Sequence, residues 1–159
     1  MTLTTLATSL ASAPLIESAA FRVWVASLVI LFFKMFAISG VQAVGRARSR
    51  AFTRPEDARV FGKGAAPVER EVPLVERANG CWRNDLENIP MYLFISLAFV
   101  LAGGGERYAW SYFGLYTLIR CVHSIVYLRG LQPHRFLAFF AGNAVLFLLI
   151  AHLLYQVFG

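Results

Sequence analysis

Phe21-Arg-Val-Trp-Val-Ala-Ser-Leu-Val-Ile-Leu-Phe-Phe33 carries a single charge, Arg22. With Met35–Val44 beyond Lys34 it builds an apolar run from Pro14 to about Gly45. A bilayer crossing needs roughly 20 such residues, so this run is long for one span and should tilt or project beyond the membrane. Three further runs follow, at about 74–102, 106–128 and 134–158. Gly103-Gly-Gly105 separates the second from the third, and Arg129-Gly-Leu-Gln-Pro133 separates the third from the fourth.

Composition agrees with this pattern. Of the 159 residues, 58% are hydrophobic, and the mean hydropathy is +0.59. A soluble domain of this size has too little interior to hide so much apolar matter. The expectation is an all-α, integral membrane four-helix bundle forming one domain over residues 1–159. Four spans leave no room for a separate soluble domain. The 14 Phe, 6 Tyr and 3 Trp suit lipid-facing surfaces and interfacial belts. The polar stretch at about 46–73, with Pro55, Gly62, Gly64, Pro67 and Pro73, reads as a cytoplasmic loop.

Orientation follows from the basic residues. Nine of the 15 lie between Arg46 and Arg83, and the 129–135 turn adds Arg129 and Arg135. Residues 1–13 carry none, and the 103–107 loop holds one Arg and one Glu. Both termini are therefore expected on the non-cytoplasmic side. Residues 1–20 have no basic stretch before their Ala-Ser-Ala and do not read as a cleaved signal. Cys81 and Cys121 make no disulfide framework. His123, His134 and His152 lack metal-ligand spacing, so no metal is expected. Neither a P-loop nor GxGxxG occurs. The basic loop adjoins spans, which makes lipid contact a better account of it than nucleic acid.

The ionisable residues inside the apolar runs need a reason, since each costs about 2.5–3.5 kcal/mol on insertion scales. Glu76, Arg77, Arg83, Asp85 and Glu87 sit at the cytoplasmic start of the second run. Arg120, His123, Ser124 and Tyr127 are spaced i, i+3, i+4, i+7, one stripe of a helix. Arg46 closes the first run and Arg135 opens the fourth. Each helix thus sends a cation to the same depth, as suits an anionic ligand or a lipid headgroup, because the planar Arg fork pairs bidentately with carboxylates. Glu87 could take a ligand amine. A small γ-glutamyl peptide, with two carboxylates and one ammonium, matches that balance.

Plainer readings stand beside this one. Arg48, Arg50, Arg54, Arg59, Lys63, Arg70 and Arg129 read as topology signals that snorkel to headgroups. Arg120 is either a ligand group or half of an interhelical pair with Glu76 or Glu87. His123 is either a packing histidine or a ligand group, and Tyr127 alone could belong to an interfacial belt. Lys34 reads as half of a buried pair that stabilises the bundle. Asn143 and His152 read as interhelical hydrogen-bonding groups. Both cysteines read as packing residues.

Val75-Glu-Arg-Ala-Asn-Gly-Cys-Trp-Arg-Asn-Asp-Leu-Glu-Asn-Ile-Pro90 resembles the signature of the MAPEG family, the membrane-associated proteins of eicosanoid and glutathione metabolism. Glu76, Arg77, Asn84, Asp85 and Glu87 occupy its E-R-x(6)-N-D-x-E pattern. Arg46 to Ala58, Arg120-x-x-His123-x-x-x-Tyr127-Leu and Gln132-Pro-His-Arg135 resemble the family's first loop, third helix and start of the fourth. The likeness spans roughly residues 34–140 and is greatest to the glutathione transferase branch, with the prostaglandin synthase branch next.

The resemblance implies a left-handed four-helix bundle, a homotrimer, and glutathione as co-substrate bound between subunits near the cytoplasmic face. It implies peptide contacts from Arg46, Arg83, Asn84, Glu87, His123 and Tyr127. Arg135 would hold the thiolate as the catalytic residue, with Arg77, Arg120, Glu76 and Asp85 as a supporting charge network. The implied activity is transfer of the glutathione thiol to a lipophilic electrophile, or reduction of a lipid hydroperoxide. Phe136 and Phe139 stand where the prostaglandin synthase branch has hydroxyls, which argues against that isomerisation. A non-catalytic glutathione- or lipid-binding scaffold is the alternative, and a transporter subunit is a third reading that no repeat supports. The membrane would be the inner membrane of a bacterium, or the endoplasmic reticulum or outer mitochondrial membrane of a eukaryote.

Overall fold

A computed structural model describes residues 15–159. After a 3₁₀ turn at Leu15–Glu17, α1 spans Ala19–Ser49, α2 Pro55–Val60, α3 Pro73–Leu101 and α4 Glu106–Ala109. A π-helical turn at Trp110–Gly114 joins α4 to α5, Leu115–Leu128, and α6 spans His134–Phe158. Since α4, the π turn and α5 run on without a break, the described residues form four long helical stretches packed side by side. No strand occurs among the described residues. The N-terminal expectations for residues 1–14 fall outside them.

The helix ends follow local chemistry. Ser18 caps α1 by accepting from the Phe21 amide. Arg50, at φ 51°, turns the chain out of α1 in the left-handed region. Pro73 opens α3, where its missing N–H costs nothing. Gly130, at φ 68°, lets Leu131 N–H reach back to the Val126 carbonyl and close α5.

Packing pairs α1 with α3 and α5 with α6. The core between them holds Leu31, Ile89, Tyr92, Phe99, Phe113, Tyr116 and Leu149. The Tyr92 and Tyr116 rings stack at 3.9 Å. Hydroxyls tie the helices across this core: Ser27 bonds Tyr92 at 2.7 Å and Thr117 at 2.5 Å. Trp24 Nε1 donates to Ser96 Oγ at 3.1 Å.

Many large apolar side chains also face outward. Phe33 and Phe36 on α1 are 62% and 68% exposed, and Phe147 on α6 is 69% exposed. An aqueous surface does not carry such continuous apolar faces. α1 and α6 are long and apolar enough to cross a membrane, and few of their residues are buried.

Three expectations are corrected. The 46–73 stretch is not all loop: α1 continues to Ser49 and α2 lies within it. Arg46 and Arg48 therefore sit in the last turn of α1, where the helix dipole favours cations. The third run contains the π turn instead of a uniform α-helix. Asn143 donates to the Phe139 carbonyl of its own helix at 3.0 Å, so it does not link helices; His152 does, to the Tyr112 hydroxyl.

Candidate functional site

The start of α3 and the end of α5 lie side by side, and their polar residues interlock. Asp85 is fully buried. Its Oδ2 takes the ammonium of Lys34 from α1, and its Oδ1 accepts from Arg120 Nη2 at 2.5 Å. The same Nη2 donates to Asn84 Oδ1 at 2.8 Å. Arg120 is thus the buried half of an interhelical pair, but its partner is Asp85, not Glu76 or Glu87. A carboxylate with a cation on each oxygen is well satisfied, as buried charge requires.

Asn84 passes from this cluster to an open pocket of about 270 Å³. His123, Tyr127, Gln132, Arg135, Phe136 and Phe139 complete the lining. Arg135 lies with its guanidinium 4.7 Å from the centre of the Tyr127 ring, a cation–π contact that keeps the charge at the pocket wall. With its amide oxygen toward Arg135, Gln132 accepts from Nε at 3.1 Å and Nη2 at 2.7 Å. His123 is 1% exposed, and its Nδ1 has no partner. A buried polar atom without a partner is uncommon and calls for one that the described residues do not supply. Tyr127 meets the His123 ring edge-on and leans its hydroxyl over Gly80.

One chain therefore gathers Asn84, His123, Tyr127 and Arg135, but not the whole expected set. Arg46 is elsewhere: its Nε donates to Glu71 Oε1 at 2.8 Å and its Nη2 to Asn79 Oδ1 at 3.5 Å. Arg83 and Glu87 are exposed on the outer face of α3 and make no ion pair among the described residues. Glu76 is likewise exposed and unpaired among them. Arg77 is not in the buried charge cluster; its Nε donates to the Leu128 carbonyl at 3.1 Å and ties α3 to the end of α5. The four cations expected at one depth thus do not converge within one chain.

Residues missed from the sequence are Gln132 and Gly80. Gln132 had a readable signal, standing three positions before Arg135. Gly80 had one too, because a glycine inside a helix costs about 1 kcal/mol against alanine and needs a packing reason.

α3, α5 and nearly all of α6 lie within a stretch that matches a known family. The model of the MAPEG family matches residues 21–155. The chain belongs to the MAPEG family. Its relatives include the microsomal glutathione S-transferase 1 of Bos taurus, 38% identical over 134 residues, 82% of this chain and 86% of that protein. The Homo sapiens protein of the same name is 38% identical over 128 residues, 79% and 83% of the two chains. The prostaglandin E synthase of Mus musculus is 35% identical over 104 residues, 65% and 67% of the two. This MAPEG protein is accordingly an all-helical membrane protein.

Proposed function

We propose that this MAPEG protein is a membrane-bound glutathione transferase that keeps the thiol of glutathione ionised beside Arg135. Support comes from the relatives named microsomal glutathione S-transferase 1. The observation that carries the reading is the Arg135 guanidinium, held by Tyr127 and Gln132 at the wall of a pocket that Asn84 and His123 also line. An ordinary thiol has a pKa near 8.5. Lowering it by about two units takes roughly 2.7 kcal/mol of preferential thiolate stabilisation, within reach of one partly desolvated Arg.

The peptide's carboxylates and amine need further charges. In a single chain Arg83 and Glu87 face outward, and Arg46, in the last turn of α1, pairs with Glu71. We place glutathione between subunits of a homotrimer, where those outward groups of one subunit complete the pocket of the next. In the same reading all four long helical stretches cross the bilayer as one domain over residues 1–159. The basic 46–73 connection then faces the cytoplasm, and both termini face away from it.

Turnover needs no covalent enzyme intermediate. The sulfur forms a bond to an electrophilic carbon of a lipophile arriving from the bilayer, and the leaving group departs with its electron pair. With a lipid hydroperoxide, two glutathione thiols supply two electrons and yield the disulfide, the alcohol and water. Phe136 and Phe139 offer only ring carbon to this pocket, so prostaglandin-type isomerisation assisted by a hydroxyl there is not proposed.

Purified protein mixed with glutathione should show thiolate absorbance and should conjugate a model aryl halide. Arg135→Ala should lose turnover and keep much of the binding measured by calorimetry. Undiminished turnover in that variant removes Arg135 from the mechanism. Binding without any turnover in the native protein would favour the scaffold reading instead.

A further inference from the structure

Beneath the pocket lies a buried cluster whose charges do not cancel. The side chains of Lys34, Asp85 and Arg120 are 8%, 0% and 2% exposed. Arg120 and Asp85 alone already make a neutral pair. Lys34 adds a second cation to the same carboxylate, so three buried side chains carry one surplus positive charge. Such a charge acts further in a protein interior than in water, where ions and solvent screen it.

Within the chain, the described residues of the elements around it bury no carboxylate besides Asp85. α1 contains no acidic residue, and no Asp or Glu follows Glu106 in the whole chain. On α3, Glu76 and Glu87 are exposed. The other titratable or charged groups near the cluster and the pocket are Cys81 on α3, Tyr116, Cys121, His123 and Tyr127 on α5, and Arg135 on α6. None is an acid. The surplus also has a route to the pocket: Arg120 Nη2 bonds Asn84, which lines it, while Arg120 Nε is buried without a partner.

We infer that Lys34 is a positioning residue for the ligand's charge, its ammonium leaving one uncancelled positive charge under the pocket that favours a bound thiolate over the neutral thiol. The inference rests on the thiol-activating reading above and deepens it. Lys34 touches no substrate; it acts on the pocket's field through Asp85, Arg120 and Asn84. Arg135 stabilises the sulfur directly, and Lys34 raises the potential in which it ionises.

The test titrates thiolate absorbance against pH for the full chain with saturating glutathione. Lys34→Gln keeps a donor for Asp85 without the charge, and Lys34→Met leaves Arg120–Asp85 as a neutral pair. Both should move the thiol midpoint up by about one pH unit, a tenfold loss of thiolate below the midpoint. Lys34→Arg, with its charge retained, should stay close to the native midpoint. A second reading uses two fixed-charge probes: the affinity ratio of glutathione sulfonate to S-methylglutathione should fall several-fold in Lys34→Gln. A glutamine variant equal to the native protein in both measurements overturns the inference, whether because Lys34 is neutral or because its field does not reach. No thiolate in the native protein would instead overturn the transferase reading itself.

Discussion

The Tyr127 hydroxyl sits so close above Gly80 that a Cβ added there would lie 2.6 Å from its oxygen. Two helices meet at this point without a side chain between them, and the ring so placed is the one that carries the Arg135 guanidinium. Gly80→Ala should therefore act on the ligand more than on the fold. The gain in helix propensity, up to about 1 kcal/mol, offsets the shift of a ring tip. Thermal unfolding should change little, while glutathione affinity by calorimetry should fall about three- to tenfold. Unaltered affinity would mean that Tyr127 moves freely without consequence for binding.

Asp85 is the sole acid of the buried cluster, and its loss should be costly. Asp85→Ala leaves Lys34 and Arg120 facing each other without their counter-charge. Breaking a buried pair in this way costs about 3–5 kcal/mol. The expected result is a protein that unfolds at markedly lower temperature in detergent, or that fails to assemble. Lys34→Met, which leaves a matched pair, should be much milder on the same assay.

Gln132 holds two nitrogens of Arg135. Gln132→Ala frees the guanidinium to leave the Tyr127 face, so proximity to the sulfur is lost in part. We expect kcat for aryl halide conjugation to fall by about three- to tenfold, with KM for glutathione nearly constant. An equal loss in KM would mark Gln132 as a binding group instead.

Arg77 belongs to the family signature, yet it ties the end of α5 to α3 through the Leu128 carbonyl. Arg77→Met should cost about 1 kcal/mol of stability, at the low end for a charged hydrogen bond because the group is partly exposed. The thiol midpoint should not move. A moved midpoint would return Arg77 to the charge network.

Much of this protein is legible along the chain because its governing signals are local. Apolar runs, Pro73, Gly103 and Gly130 mark where helices begin and end. The i, i+3, i+4, i+7 stripe put Arg120, His123 and Tyr127 on one face, since helical geometry alone requires it. The MAPEG signature marks the start of α3.

Pairing across helices was not readable. Lys34 and Asp85 are 51 positions apart, and nothing in the spacing prefers Asp85 over Glu76 or Glu87 as the partner of Arg120. Rotation of α3 decides it, by burying Asp85 and turning Glu76 and Glu87 outward. The same rotation turns Arg83 outward, away from Arg120 and Arg135. Sequence by itself determined that helices form, where they end, and which residues share a face, because those depend on neighbours within a turn or two. Only the tertiary structure decided which charge meets which, because that depends on how one helix is turned against the next.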